Sequence, residues 1–111
     1  MSHLLHDVCV PCEKGALPLS ANQIEPLLLE VKNWHVIDAI KIERLFLFDN
    51  FCAALVFINR VGAVAEEQGH HPDIFLHAWN HVTITLWTHA IYGLSKNDFI
   101  LAAKIDEAFE K

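Results

Sequence analysis

The apolar residues of this chain switch between the 3.6-residue period of a helix and the two-residue period of a strand, and the order of the switches leaves few folds open. Ser20-Ala21-Asn22-Gln23 is a capping-box pattern, and Ile24, Leu27, Leu28 and Val31 follow it at helical spacing. Pro26 lies beyond the first turn, where its missing N–H removes a helix bond, so a kink or a loosened early turn is expected. Trp34–Ile40 and Ile42–Phe48 are rich in β-branched and aromatic residues and predict two strands, paired as a hairpin with its turn near Asp38–Lys41. Phe51, Ala54, Leu55, Ile58, Val61 and Ala65 form the strongest helical stripe in the chain. Asp49 or Asn50 can cap that helix, and Gly69 ends it as a left-handed residue.

Ile74–Trp79 and Val82–His89 predict two more strands, and in the second Val82, Ile84 and Leu86 alternate with His81, Thr83, Thr85, Trp87 and His89. Gly93 makes a turn, and Ser95 caps a last helix with Asp98 at the box position. Phe99, Ala102, Ala103, Asp106 and Phe109 lie along it. The predicted architecture is α+β, a four-stranded antiparallel sheet with three helices packed on one face in the order α-β-β-α-β-β-α. Residues 1–19, with Pro11, Gly15 and Pro18, read as an irregular, mobile N-terminal arm, and residues 20–111 as a single domain. A hydrophobic fraction of 53% in 111 residues supports one core.

Charge and cysteine usage narrow the function classes. The net charge is −6 with only 8 Lys+Arg, so no basic patch is available for direct nucleic-acid binding. The longest apolar runs, such as Ala53–Ile58, fall far short of a membrane span. Residues 1–7 carry neither the basic nor the apolar region of a signal peptide. Three cysteines, an odd number, point to a reduced cytoplasmic protein. Cys9-Val10-Pro11-Cys12 with His3 and His6 upstream has a spacing that zinc can use, but without a second Cys pair no metal is assigned. Cys52 reads as a packed helix residue. No Walker A loop, G-x-G-x-x-G, G-x-S-x-G or H-E-x-x-H occurs.

Chemistry concentrates in Glu66-Glu67-Gln68-Gly69-His70-His71-Pro72, followed by Trp79, His89 and Asp98. Imidazole changes charge nearest neutral pH, so clustered histidines suit proton transfer or metal binding. His70 and His71 sit where a helix ends and a strand begins, with Pro72 pushing His71 towards extended geometry. His89 ends the fourth strand, so the three can meet at one edge of the sheet. Taken alone, the pair also fits a solvated loop, a helix C-terminal charge or, with His89, a metal site. Glu66, four residues before His70, either orients that imidazole or is a solvated helix charge, as Glu67 is. Asp98 fits an N3 capping role behind Ser95 as well as a site role. Trp79 can flank a flat heterocycle, although an aromatic on a strand is more often core. His77 and His81 read as solvated.

An acidic residue, three spacers, His-His-Pro, an aromatic, a later His and then Asp: this series resembles the signature of the pterin-4a-carbinolamine dehydratases, over roughly residues 20–110. The resemblance implies the same element order and four-stranded antiparallel sheet. It implies dehydration of 4a-hydroxytetrahydrobiopterin to quinonoid dihydropterin, recycling the pterin of aromatic amino acid hydroxylases, with no metal and no bound cofactor. His70 and His89 would then be general acid and base near the C4a hydroxyl and N5, and His71 would mainly bind and orient the pterin. Glu66, Pro72, Trp79, Thr88 and Asp98 are carried over as substrate-binding positions. The stretch from His71 to the last strand is one residue longer than in some of the family, which suggests a bulge over Leu76–Trp79. Implied partners are the pterin, a second copy of the chain in a dimer or tetramer, and an aromatic amino acid hydroxylase or a transcription factor. The alternative function is a protein-binding module, a dimerisation partner or coactivator of a transcription factor.

Overall fold

Two hairpins lie side by side in the computed structural model, which describes residues 3–11 and 15–110. The elements are α1 (Ala21–Leu28), β1 (His35–Ile37), β2 (Lys41–Leu47), α2 (Phe51–Gln68), β3 (Asp73–His77), β4 (His81–Leu86) and α3 (Lys96–Glu110). Short 3-10 turns cover Leu4–His6 and His89–Ile91. The sheet order is β1-β2-β4-β3 with every pair antiparallel, so the first strand of each hairpin forms an edge. This is the expected α+β order.

The strands are shorter than their apolar runs because each hairpin spends three residues on its turn. Ile37 pairs with Lys41 and His77 with His81, leaving Asp38-Ala39-Ile40 and Ala78-Trp79-Asn80 between them. Asp38, Ala39, Ala78 and Trp79 all have positive φ, 52°, 61°, 46° and 55°. Left-handed pairs of this kind match the twist of the flanking strands. Two expectations are corrected here. Trp79 is a turn residue, 60% exposed, and not part of the core. The bulge over Leu76–Trp79 does not form, since the β3–β4 register runs unbroken from Asp73 to His77 and Ala78-Trp79-Asn80 are the turn.

Alternation along β4 sorts its side chains as expected: Val82, Ile84 and Leu86 are buried under the helices. His77 and His81, expected to be solvated, are half-buried on the other face, where His77 Nε2 meets Thr83 Oγ1 at 2.9 Å. Ser20 N–H donates to Gln23 Oε1, the capping-box contact that starts α1, and the helix runs through Pro26 before stopping at Leu28. On α2 the buried line is Ala54, Phe57, Val61 and Ala65, whereas Phe51 and Leu55 are exposed. That helix carries apolar residues on more than one face, and the sheet and α3 cover only one of them. Asn50 caps it by accepting from Ala53 N–H. Phe46, Phe48, Phe57 and Phe109 pack ring to ring at 4.8–5.7 Å, and full burial of one such ring contributes about 1.5–3 kcal/mol.

The arm is not detached from the domain. Leu4 and Cys9 belong to the buried core, and Lys104 Nζ donates to Leu5 O at 2.7 Å. Leu19 N–H donates to Leu94 O, which brings Pro18 against Gly93. With the 3-10 turn Leu4–His6 and α1 on one side and α2 on another, α3 is buried around most of its circumference. No helix of the described residues is long and apolar enough to cross a membrane.

Candidate active site

Gly69 decides where the two histidines go. It takes a left-handed conformation (φ 65°, ψ 27°) that ends α2, and its N–H and that of His70 close the helix by donating to Glu66 O and Ala65 O. The chain then leaves the helix axis, and Pro72 feeds it into β3. His70 and His71 therefore point to different partners. His70 Nε2 contacts Asp98 Oδ1 at 2.6 Å, with 14% of the His70 side chain exposed and none of Asp98. His71 Nε2 contacts Glu66 Oε1 at 2.5 Å, with side chains 63% and 79% exposed. The expectation that Glu66 orients His70 is thus corrected: past Gly69, His70 no longer lies on the helical face that Glu66 occupies.

Asp98 takes the capping role and also contacts His70. Its Oδ2 accepts from Ser95 N–H at 2.9 Å, which caps α3, and from Thr88 Oγ1–H at 2.8 Å. Its Oδ1 takes His70. Thr88 and Ser95 hydroxyls also meet at 2.8 Å. A carboxylate only accepts, so its His70 contact puts the proton on Nε2 and leaves Nδ1 as the basic nitrogen of the neutral ring. A carboxylate placed in this way fixes the tautomer and orientation of an imidazole.

His89 does not end a strand. Strand β4 stops at Leu86, Thr88 pairs with Gly93 as an isolated bridge, and His89–Ile91 form a 3-10 turn closed by Tyr92 in the left-handed region. The His89 ring lies on Trp87 with centroids 3.9 Å apart, and Lys41 Nζ sits 4.8 Å from the Trp87 centroid.

His70, His71, Pro72, Trp87, Thr88 and His89 line one cavity of about 390 Å³. That volume is within the range of small-molecule sites. Trp79 does not join them: it lies a full strand away, at the other end of β3 from Pro72. A second cavity of about 450 Å³, between the 3-10 turn Leu4–His6, α2 and α3, is lined by Glu67 but by none of the three candidate histidines. Sequence reading passed over Trp87 as a site residue, although its place two before His89 on a period-two strand is a usable signal. Val10, Pro11 and Asn97 also line the motif cavity, and nothing in their spacing announces it. Cys9 is buried with its thiol on Asn97 O, while Cys12 lies outside the described residues. Among the described residues no three His, Cys, Asp or Glu side chains are grouped to hold a metal.

Fold and site together define an α+β protein with a carboxylate-oriented histidine cluster over a ligand-sized cavity. The chain belongs to the pterin 4 alpha carbinolamine dehydratase family, whose model matches residues 17–108. A protein of Rubrobacter xylanophilus with the provisional name pterin-4-alpha-carbinolamine dehydratase is 47% identical over 106 residues, 96% of this chain and 98% of that one. One of Alkaliphilus metalliredigens with the same provisional name is 44% identical over 108 residues, 96% of each. The crystal structure of a transcriptional coactivator/pterin dehydratase from Brucella melitensis superposes with a TM-score of 0.76 at 30% identity, covering 82% of this chain and 97% of that one.

Proposed function

We propose that this protein is a hydro-lyase that removes water from a 4a-hydroxytetrahydropterin. The observation that supports it most is one cavity lined by three histidines, each held differently: His70 by a buried carboxylate, His71 by an exposed one, His89 by an aromatic ring. In the reaction the C4a–O bond breaks, the hydroxyl leaves as water after gaining a proton, N5 loses its proton and a C4a=N5 bond forms. No electrons are exchanged with a partner, so an acid and a base suffice. His70, with Nε2–H on Asp98, has Nδ1 for proton transfer, and His89 is the second proton-transfer group. His71, with Glu66, binds and orients the pterin ring at the cavity rim, flanked by Pro72. Trp79 has no part in the site within one protomer.

A 4a-hydroxypterin arises when an aromatic amino acid hydroxylase oxidises its cofactor, so the reading implies pterin recycling beside such an enzyme. An odd cysteine count suits a reducing cytoplasm. The open edges β1 and β3, with Leu45, Leu47 and Phe75 exposed on the uncovered sheet face, support self-association into a dimer or tetramer. The same face supports a second reading, a module that binds a transcription factor.

The test is stopped-flow absorbance on freshly generated 4a-hydroxytetrahydropterin with wild type and the His70→Ala, His71→Ala and His89→Ala variants. Acceleration by wild type with kcat lost in His70→Ala and His89→Ala is expected. Intact kcat in His70→Ala removes that assignment, and a folded wild type without activity leaves the binding-module reading.

A further inference from the structure

Asn97 sits in the first turn of α3, one residue before Asp98, and is 5% exposed. Its amide grips the arm at both ends of one residue: Oδ1 accepts from Val10 N–H at 3.0 Å, and Nδ2 donates to Val10 O at 2.5 Å. A primary amide that satisfies both backbone groups of a residue acts on it as a neighbouring strand would. Next to it, Cys9 N–H donates to Gln68 Oε1 at 2.9 Å, and the Cys9 thiol to Asn97 O. Gln68 lies two residues before His70. The segment Cys9–Pro11 is thus fastened to the two chain regions that hold the His70–Asp98 pair.

The consequence falls on the cavity. Val10 and Pro11 line it together with His70, His71, Trp87 and His89, yet they come from a part of the chain about sixty to eighty residues away. Val10 is 65% exposed, an apolar surface beside a polar site. A flat heterocycle bound among these histidines would cover it. We infer that Asn97 is a positioning residue: it fixes Val10–Pro11 as an apolar wall of the cavity, against which the substrate ring packs. The inference rests on the dehydratase reading for the identity of that substrate.

Two variants test it in the full-length chain. Asn97→Ala removes the grip; Val10→Gly keeps the grip but removes the wall, and it alters an exposed side chain that the fold does not need. Both are expected to raise the KM for 4a-hydroxytetrahydropterin, about tenfold in Asn97→Ala and several-fold in Val10→Gly, with kcat within about twofold of wild type. Amide hydrogen exchange at residue 10 should become fast in Asn97→Ala and stay slow in Val10→Gly. A purely structural role would lower the melting temperature of Asn97→Ala and leave both KM values unchanged. Unchanged KM in both variants of an active protein overturns the inference alone. A wild type that does not accelerate the dehydration overturns the dehydratase reading and this inference with it.

Discussion

His70 Nε2 and Asp98 Oδ1 lie 2.6 Å apart although 28 residues separate them, and the aspartate is fully buried. One carboxylate gathers three donors, from His70, Thr88 and Ser95, and so couples the start of α3 to the end of α2. Asp98→Asn turns one acceptor oxygen into a donor and breaks at least one of these contacts. We expect kcat for pterin dehydration to fall by about 10²–10⁴-fold, the range seen when an orienting carboxylate is lost. Stability should fall by about 1–3 kcal/mol, because a buried donor loses its partner. Kinetics and urea unfolding of the same preparation check both.

The Glu66–His71 pair behaves differently because it is exposed. Water and salt screen it, so its worth to the fold is about 0–1 kcal/mol. Glu66→Gln should leave the melting temperature within about 2 °C of wild type. If Glu66 orients His71 for binding, KM rises by about two- to fivefold with kcat unchanged. A large fall in kcat would move Glu66 from binding to proton transfer.

Trp87 supports His89 with its ring, while its Nε1 is a buried donor without a hydrogen-bond partner among the described residues. Trp87→Phe keeps a ring beneath His89 and removes that donor. It should retain at least about half of kcat and unfold no more easily than wild type. Trp87→Ala should lose activity by about tenfold or more as His89 becomes free to turn. Equal activity in the two variants would show that the ring contact does not orient His89.

A Cβ added at Gly93 would come within 2.6 Å of Pro18 Cβ, and a proline ring cannot swing aside. Gly93→Ala must push the segment before α1 off the loop that precedes α3. A cost of about 1–3 kcal/mol is expected, lowering the melting temperature by about 4–20 °C. Calorimetry of the variant measures it directly.

Burial raises the Asp106 carboxyl above the usual carboxylate range, and Glu110 adds to this; the Trp34 N–H and the Arg44 guanidinium oppose it without cancelling it. The folded state therefore holds this proton more tightly than the unfolded chain does. Its contribution to stability is fully present below the ordinary carboxylate pKa. It declines as pH rises through that range and is lost above the raised value. Relative to Asp106→Asn, wild type should lose stability as pH rises from about 3 into the weakly acid range, then level off. Melting temperatures of both proteins across pH test the sign; a relative gain for wild type with rising pH would contradict it.

Local order determined much of the architecture. The capping residues Ser20 and Asn50, the Gly69 terminator and the alternation of Val82, Ile84 and Leu86 act over a few residues, and the structure follows them. The spacing of the histidines about Gly69 and Pro72 likewise picks out residues that line one cavity. Contacts between distant segments were not legible. Whether Glu66 meets His70 or His71 depends on the direction in which the chain leaves Gly69, and whether Trp79 is covered depends on a three-residue turn. The partnership of His70 with Asp98, the tilted ring contact of His89 with Trp87 and the grip of Asn97 on Val10 join residues through space. Periodicity records which face of an element is apolar; it does not record which element arrives to cover it, and that was decided only when the helices closed over the sheet.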